Sequence, residues 1–246
     1  MDERAFLDDY DPTAFARPSL AVDLVLMSVI EGAPAVLLLR RDAHPFQGAW
    51  TLPGAFVGID ESLDDAARRV LGGKAHLGEA EMDGAYLEQL YTFGAVDRDP
   101  RTRIISVAYF SLLPAGRFAA ALAGNPALAL ARLTLGAGDE TATARTGNGD
   151  ALPLGFDHGA ILATALRRLR GKLDYSGISF ALLPERFTLR ALQEVHEAIL
   201  GTPLNKPAFR RRMLDRGWLA ATGEREAGAS FRPAELYRHL PEQGEI

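Results

Sequence analysis

The stretch Ala55–Leu77 constrains this chain more than any other, because it encodes a β-rich run that passes through a charged loop into a capped helix. Trp50 to Val57 leads in. Ser62 stands three residues before Asp65, the spacing of a capping box, and Asp64 and Asp65 fall in the first turn, where acids favour the helix dipole. The same aspartates precede Arg68 and Arg69 by four residues, the spacing of surface ion pairs. A helix is expected over 62–71, ended by Gly72-Gly73. It needs a sheet to pack on. Leu20–Ile30 and Ala35–Arg40 supply two strands around a hairpin at Glu31-Gly32-Ala33-Pro34, and Tyr86–Phe93 and Ile104–Leu113 supply two more across a polar loop, 94–103.

Around this centre the chain is less regular. Residues 1–18 read as an irregular arm, and 114–156 are rich in Ala and Gly, with 136–150 expected to be a flexible surface insertion. Asp157–Lys172 reads as an amphipathic helix capped by Asp157. Beyond Ser176 come short helices and tight turns. Thr188 is an N-cap, with Phe187 and Leu192 placed as a hydrophobic staple, and Gly201 stops that helix. Asn205 caps the next, Lys206–Arg216, with Pro207 in its first turn. Helix, short turn, helix is the layout of a DNA-reading motif.

Composition excludes several chemistries. With 48% hydrophobic and 24% charged residues the chain is ordinary globular protein. No cysteine is present, so disulfides, Cys-ligated zinc and thiol catalysis are ruled out, and the five histidines show no metal-ligand spacing. Neither a secretory leader nor a membrane-length apolar run is visible, so a cytoplasmic protein without membrane contact is expected. The net charge of −5 is unevenly spread. Residues 161–246 carry 14 Lys and Arg against 10 Asp and Glu, leaving 13 against 22 in residues 1–160. An acidic front joined to a basic back points to two modules, expected over 1–172 and 173–246.

The basic module has its own pattern. On the helix after Asn205, Phe209 and Met213 share a face with Leu214 beside it. The opposite face centres on Arg211, with Arg212 to one edge and Arg210 nearer the apolar side. Trp218–Thr222 and Ala234–Leu240 read as a hairpin whose loop holds Arg225 and Arg232. A basic helix followed by a basic hairpin is the plan of a winged helix-turn-helix, and Asn205, Lys206, Arg210, Arg211, Arg212, Arg225 and Arg232 are the candidate DNA contacts. The plainer reading of Arg210-Arg211-Arg212 is a solvated helix face, and Glu224, Glu226 and Glu235 dilute the charge of the wing.

Residues 55–77 also resemble the Nudix hydrolase signature. Glu61, Arg69, Leu71 and Leu77 fall in its register, and the resemblance implies that Glu61 and Arg69 form a structural ion pair locking loop to helix, while Val70, Gly73 and Lys74 occupy its metal-holding carboxylate positions and Ala55 and His76 replace two glycines. Hard cations need several oxygen ligands, which these residues do not offer. Trp50-Thr51-Leu52-Pro53-Gly54, Tyr86–Gly94, Asp97–Arg101, Ile105–Tyr109, Leu173-Asp174-Tyr175, Ala181–Arg190 and Arg232–Arg238 together resemble the Nudix-related transcriptional regulators of bacterial NAD metabolism, the NrtR type. The resemblance spans nearly the whole chain outside 114–150.

That resemblance implies an α/β fold, a Nudix-like α/β/α sandwich with a mixed sheet, followed by a winged helix-turn-helix. It implies a homodimeric repressor of NAD or related nucleotide metabolism that reads palindromic double-stranded DNA and senses ADP-ribose or a similar metabolite, with no catalytic residue, metal or cofactor. Cations would then stand at the effector's diphosphate: Lys74 first, supported by Arg40, Arg41, Arg98, Arg101 and Arg103 where their loops converge. Trp50, Phe56 or Tyr91 would stack on adenine or pack as core. Two other readings stay open: a hydrolase of a nucleoside diphosphate derivative with metal ligands rebuilt from Asp60, Asp64 and Asp65, and a module whose basic helices grip protein.

Overall fold

The β1–β2 hairpin organises the front module in a computed structural model that describes residues 2–75, 77–78, 84–227 and 233–240. Strand β1 (Ser19–Ile30) turns at Glu31 and Gly32 into β2 (Ala33–Arg40). Both turn residues have positive φ, 47° and 74°, as the tight turn matching strand twist requires. The other strands are β3 (Trp50–Thr51), β4 (Gly54–Phe56), β5 (Tyr86–Phe93), β6 (Ile104–Leu112), β7 (Leu128–Leu135), β8 (Ala142–Arg145) and β9 (Ala151–Leu152). The sheet runs β5-β6-β1-β2-β7-β8-β9, with β3 on β2 and β4 on β1. It is mixed, since β1 pairs parallel with β6 and antiparallel with β2 and β4.

Alternation along β1 builds a core on each face. Val22, Leu24 and Leu26 meet the helix Leu63–Gly73 through Ala66, Ala67, Val70 and Leu71. Val25 and Met27 meet the helix His158–Lys172 through Ile161, Leu162, Leu166 and Leu169. With the short N-terminal helix Glu3–Asp9 as α1 and Ala119–Leu122 as α3, these two are α2 and α4. The result is the expected α/β/α sandwich.

Four local expectations change. The arm 1–18 is not wholly irregular, since Asp2 caps α1 by accepting from Ala5 N at 2.8 Å. Helix α2 continues through Gly72 and Gly73, and Lys74 donates to Val70 O at 3.0 Å. A helical glycine costs only about 1 kcal/mol, and Ala75 and Leu77 bury just beyond to hold the chain in place. The insertion expected at 136–150 is partly sheet, because β8 pairs with β7 from Leu135↔Ala142 to Arg132↔Arg145 and β9 pairs with β8. Asp157 stands at the N-cap of α4 without capping it; its carboxylate goes elsewhere.

The back module follows the expected order: α5 (Leu189–Leu200), α6 (Lys206–Asp215), β11 (Leu219–Arg225) and β12 (Glu235–His239). Thr188 accepts from Ala191 N at 3.1 Å and Asn205 from Ala208 N at 3.0 Å, while Gly201 ends α5 in the left-handed region at φ 73°. A short strand, β10 (Phe187–Thr188), joins β12, so the small sheet is β10-β12-β11. The apolar cluster beneath α4 runs without a break into Leu192, Val195, Phe209, Met213 and Tyr237. At its end Arg170 Nε donates to Ile199 O at 2.8 Å.

Candidate effector cavity and nucleic-acid interface

Four chain segments frame a cavity of about 240 Å³: the strand ends Ala21–Asp23 and Thr51–Phe56, the loop Arg98–Arg101, and Phe156 with His158 at the start of α4. Lys74, at the C-terminal end of α2, and Arg41 also line it. Of the ligand residues expected from sequence, Arg41, Phe56, Lys74, Arg98 and Arg101 come together here. Arg40, Trp50, Arg103 and Tyr91 do not. Arg40 is paired opposite Trp50, so strand alternation turns both side chains away from the side that Arg41 and Thr51 face. Trp50 packs on the core instead. Arg103 donates to Ala95 O at 2.8 Å, tying its own loop, and Tyr91 lies exposed on the outermost strand against Phe93.

The cavity mouth is cationic and aromatic. Arg41 and Arg101 lie over the Phe156 ring, 5.1 and 5.9 Å from its centroid, and Arg101 also lies 5.7 Å from Phe56. Asp99 clamps Arg101 through Nε at 3.0 Å and Nη2 at 2.7 Å, while Arg41 Nε donates to Pro45 O at 2.8 Å. Both guanidinium groups are thus oriented before any ligand arrives. The Lys74 ammonium has no hydrogen-bond or ion-pair partner among the described residues. Sequence reasoning missed Phe156, because a single aromatic in a glycine-rich stretch carries no periodic signal.

The cavity floor is a buried charge network. Arg98 donates to Asp157 twice, Nε to Oδ2 and Nη2 to Oδ1, both at 2.8 Å, and Nη2 reaches Asp23 Oδ2 at 3.2 Å. Ser106 Oγ donates to the same Asp23 oxygen at 2.6 Å. Burial opposes the charge on Arg98, but its carboxylate partners outweigh that and hold its pKa above the ordinary value. His158 Nδ1 accepts the Leu52 N–H at 2.9 Å, and burial pushes this imidazole below its usual range against the pull of Asp23. Gly54 makes the close packing possible: a Cβ there would lie 2.4 Å from Asp23 Oδ1 and 2.9 Å from Val22 O. Gly54→Ala is therefore expected to lower stability by about 1–3 kcal/mol, read as a drop in the urea midpoint at unchanged m-value.

Glu61 and Arg69 lock the loop to α2, as the motif implies. Arg69 Nε donates to Glu61 Oε2 at 3.0 Å, Nη2 meets Oε1 and also Phe56 O at 3.0 Å, and Gly58 N donates to Glu61 Oε1 at 2.6 Å. The Arg69 hydrogen bonds, with the Gly58 N–H, lower Glu61 from 4.5 to about 2. A depressed carboxyl stabilises the fold above its unfolded pKa and loses that contribution as pH falls through the folded one. Between pH 4.5 and about 2 the native protein should therefore lose stability that a Glu61→Gln variant does not lose. Parallel acid-unfolding curves for the two proteins would refute this.

The carboxylates nearest a Nudix metal position are already engaged. Tyr109 donates to Asp64 Oδ1 at 2.6 Å, and burial together with Asp64 pushes that phenol up to about 12. Asp65 accepts from Ser62 Oγ at 2.7 Å and pairs with Arg68 at 3.4 Å, so the i,i+4 pairs expected for Asp64 and Asp65 are replaced by these contacts. Among the described residues no group of three His, Cys, Asp or Glu has metal-holding geometry. With Val70 buried and Lys74 beside the cavity, these residues do not fit a hard divalent cation.

On the back module, Phe209 and Met213 bury as expected, with Phe209 edge-on to His196 at 5.1 Å, whereas Leu214 is about half exposed. The exposed side chains of Lys206, Arg210 and Arg211 make no hydrogen bond or ion pair among the described residues. Arg212 differs: it lies 3.8 Å from Asp174 and over the Phe209 ring. Asn205 spends its side chain on the cap. Arg225 is exposed and donates to Pro233 O at 3.2 Å, and Arg232 lies outside the described residues.

Known proteins share both halves of this architecture. Residues 18–131 match the family model of the NUDIX domain, and residues 179–239 match that of the NrtR DNA-binding winged helix domain. The chain is 34% identical over 238 residues to the ADPR responsive transcriptional repressor NtrR of Acinetobacter baylyi, covering 96% of this chain and 88% of that protein. It is 28% identical over 158 residues to an ADP-ribose pyrophosphatase of Methanocaldococcus jannaschii, covering 64% of this chain and 78% of that enzyme. Among solved structures, Shewanella oneidensis NrtR complexed with a 27mer DNA superposes with a TM-score of 0.74 at 34% identity, over 90% of this chain and 93% of that one. With nearly its full length aligned at this identity, and both domains present in the same order, the chain belongs to the NrtR family of Nudix-related transcriptional regulators.

Proposed function

We propose that this protein is a cytoplasmic, homodimeric transcriptional repressor of genes of NAD or related nucleotide metabolism. Its module 1–172 senses ADP-ribose or a similar metabolite, and its module 173–246 binds palindromic double-stranded DNA. One observation carries the reading. At the cavity the residues that would hold a metal are replaced by Lys74, with Arg41 and Arg101 stacked on Phe156 beside it. Such a site takes a diphosphate by direct charge and an adenine by stacking, and leaves no metal to activate water. The relative from A. baylyi is named for the same response, and the S. oneidensis relative was solved on DNA.

The signal has a physical route. Helix α4 begins at the cavity floor with Asp157 and His158 and ends on α5 through Arg170. An effector that favours one setting of α4 would shift the DNA-reading helices by the typical allosteric coupling of about 1–3 kcal/mol. Hydrolysis is the weaker reading, because Asp64 and Asp65 are held by Tyr109, Ser62 and Arg68 rather than clustered. A mobility-shift assay with the DNA upstream of the protein's own operon, with and without ADP-ribose, tests the proposal. A specific shift that ADP-ribose alters supports it, and no specific shift refutes it. Lys74→Ala should weaken ADP-ribose binding about tenfold by calorimetry, the cost of removing one charge-assisted hydrogen bond. Unchanged affinity would remove Lys74 from the site.

A further inference from the structure

One carboxylate oxygen at the cavity has no donor among the described residues. Asp23 is 8% exposed, and its Oδ2 is filled by Ser106 and Arg98, whereas no hydrogen bond reaches its Oδ1 from any described residue. The other cavity acid, Asp99, has both oxygens taken by Arg101. Across from Asp23 Oδ1, at 3.8 Å, lies His158 Nε2. Because Nδ1 accepts the Leu52 N–H, the neutral ring carries its proton on Nε2. An acceptor and a donor carried by two buried residues therefore face the same small volume, too far apart to satisfy each other.

Only some ligand groups match that pair. A phosphate oxygen would accept from His158 but meet the Asp23 carboxylate with like charge. An amine would donate to Asp23 and leave the imidazole N–H unmatched. A hydroxyl donates and accepts through one oxygen, and an oxygen within hydrogen-bond reach of both atoms fits a 3.8 Å separation. The cavity is thus graded, with Lys74, Arg41 and Arg101 at the mouth and an acceptor–donor pair at the floor.

We infer that this floor is a ribose-reading subsite: Asp23 Oδ1 accepts from a sugar hydroxyl and His158 Nε2 donates to the same oxygen. This rests on the effector reading above and adds which group of the effector is selected, and by which residues. Specificity of this kind is strong, because a ligand lacking the hydroxyl leaves two buried polar atoms unpaired.

The test is calorimetric titration of the full chain with ADP-ribose, with ADP, and with ADP-ribose analogues lacking one hydroxyl at a time. For the unaltered protein, removal of one particular hydroxyl should raise Kd by about ten- to a hundredfold, the range for a hydrogen bond to a charged group. Asp23→Asn should give a similar loss with ADP-ribose and little further loss with that one analogue. If ADP is unaffected by Asp23→Asn, the hydroxyl belongs to the terminal ribose; if ADP weakens equally, it belongs to the adenosine ribose. Equal affinity for all the deoxy analogues overturns the subsite, whether or not Asp23→Asn folds. A uniform loss across every ligand in Asp23→Asn, the analogues included, overturns it too. No binding of ADP-ribose to the unaltered protein overturns the effector reading, and the subsite with it.

Discussion

Arg98→Met is expected to lower the free energy of unfolding by about 3–5 kcal/mol, the loss typical when one partner of a buried ion pair is removed. The Arg98 side chain is 5% exposed and is the shared partner of Asp157 and Asp23. Without it two carboxylates face each other across the cavity floor with only Ser106 and a neutral imidazole nearby. Urea denaturation would read the change as a lower midpoint at unchanged m-value. Methionine keeps an unbranched apolar stem in place of the arginine's, so a large loss reports the missing guanidinium more than missing stem packing. A companion Arg98→Met/Asp157→Asn variant should recover part of the loss, since one of the two stranded charges is gone. A loss below about 1 kcal/mol in the single variant would mean that solvent already compensates the network.

Arg211→Ala should weaken operator binding about ten- to a hundredfold, and adding Arg210→Ala should multiply the loss. Both guanidinium groups are exposed on α6 and make no ion pair among the described residues, so each is available to phosphate or a base edge. Arg212 is partly held by Asp174 and Phe209, so Arg212→Ala should matter less. The salt dependence separates phosphate binding from base reading. The slope of log K against log salt should shrink by about 0.9 for every phosphate that the variant no longer neutralises. Unchanged affinity and slope would take Arg211 out of the interface.

Features set by neighbours in sequence were legible, and those set by distant pairing were not. The caps at Ser62, Thr188 and Asn205 each bond to a backbone N–H three residues on, so their spacing alone announced them. The Glu61–Arg69 clamp was legible because a motif fixes it. Asp157 looked like a cap of the same kind, but Arg98, fifty-nine residues away, takes its carboxylate, and no local pattern encodes that competition. The parity of Arg40 and Arg41 followed from the β2–β3 register, which composition cannot give. Strand β8 was hidden because Ala142–Arg145 is short and weakly apolar, and it exists because β7 offers it a ladder. The cationic mouth was half legible: Lys74 stood out by displacing a carboxylate, while the Phe156 platform that orients Arg41 and Arg101 left no trace.

The central claim is that the front module holds its ligand intact while the back module answers on DNA. It is tested most directly in one tube, with purified protein, labelled operator, ADP-ribose and Mg²⁺, following the DNA complex by anisotropy and the nucleotide by chromatography. The account predicts that anisotropy changes on adding ADP-ribose, stays at its new value, and that the ADP-ribose is recovered whole. Conversion of ADP-ribose to AMP and ribose phosphate by the protein, lost on altering Asp64 or Asp65, with no response on the DNA, would contradict it.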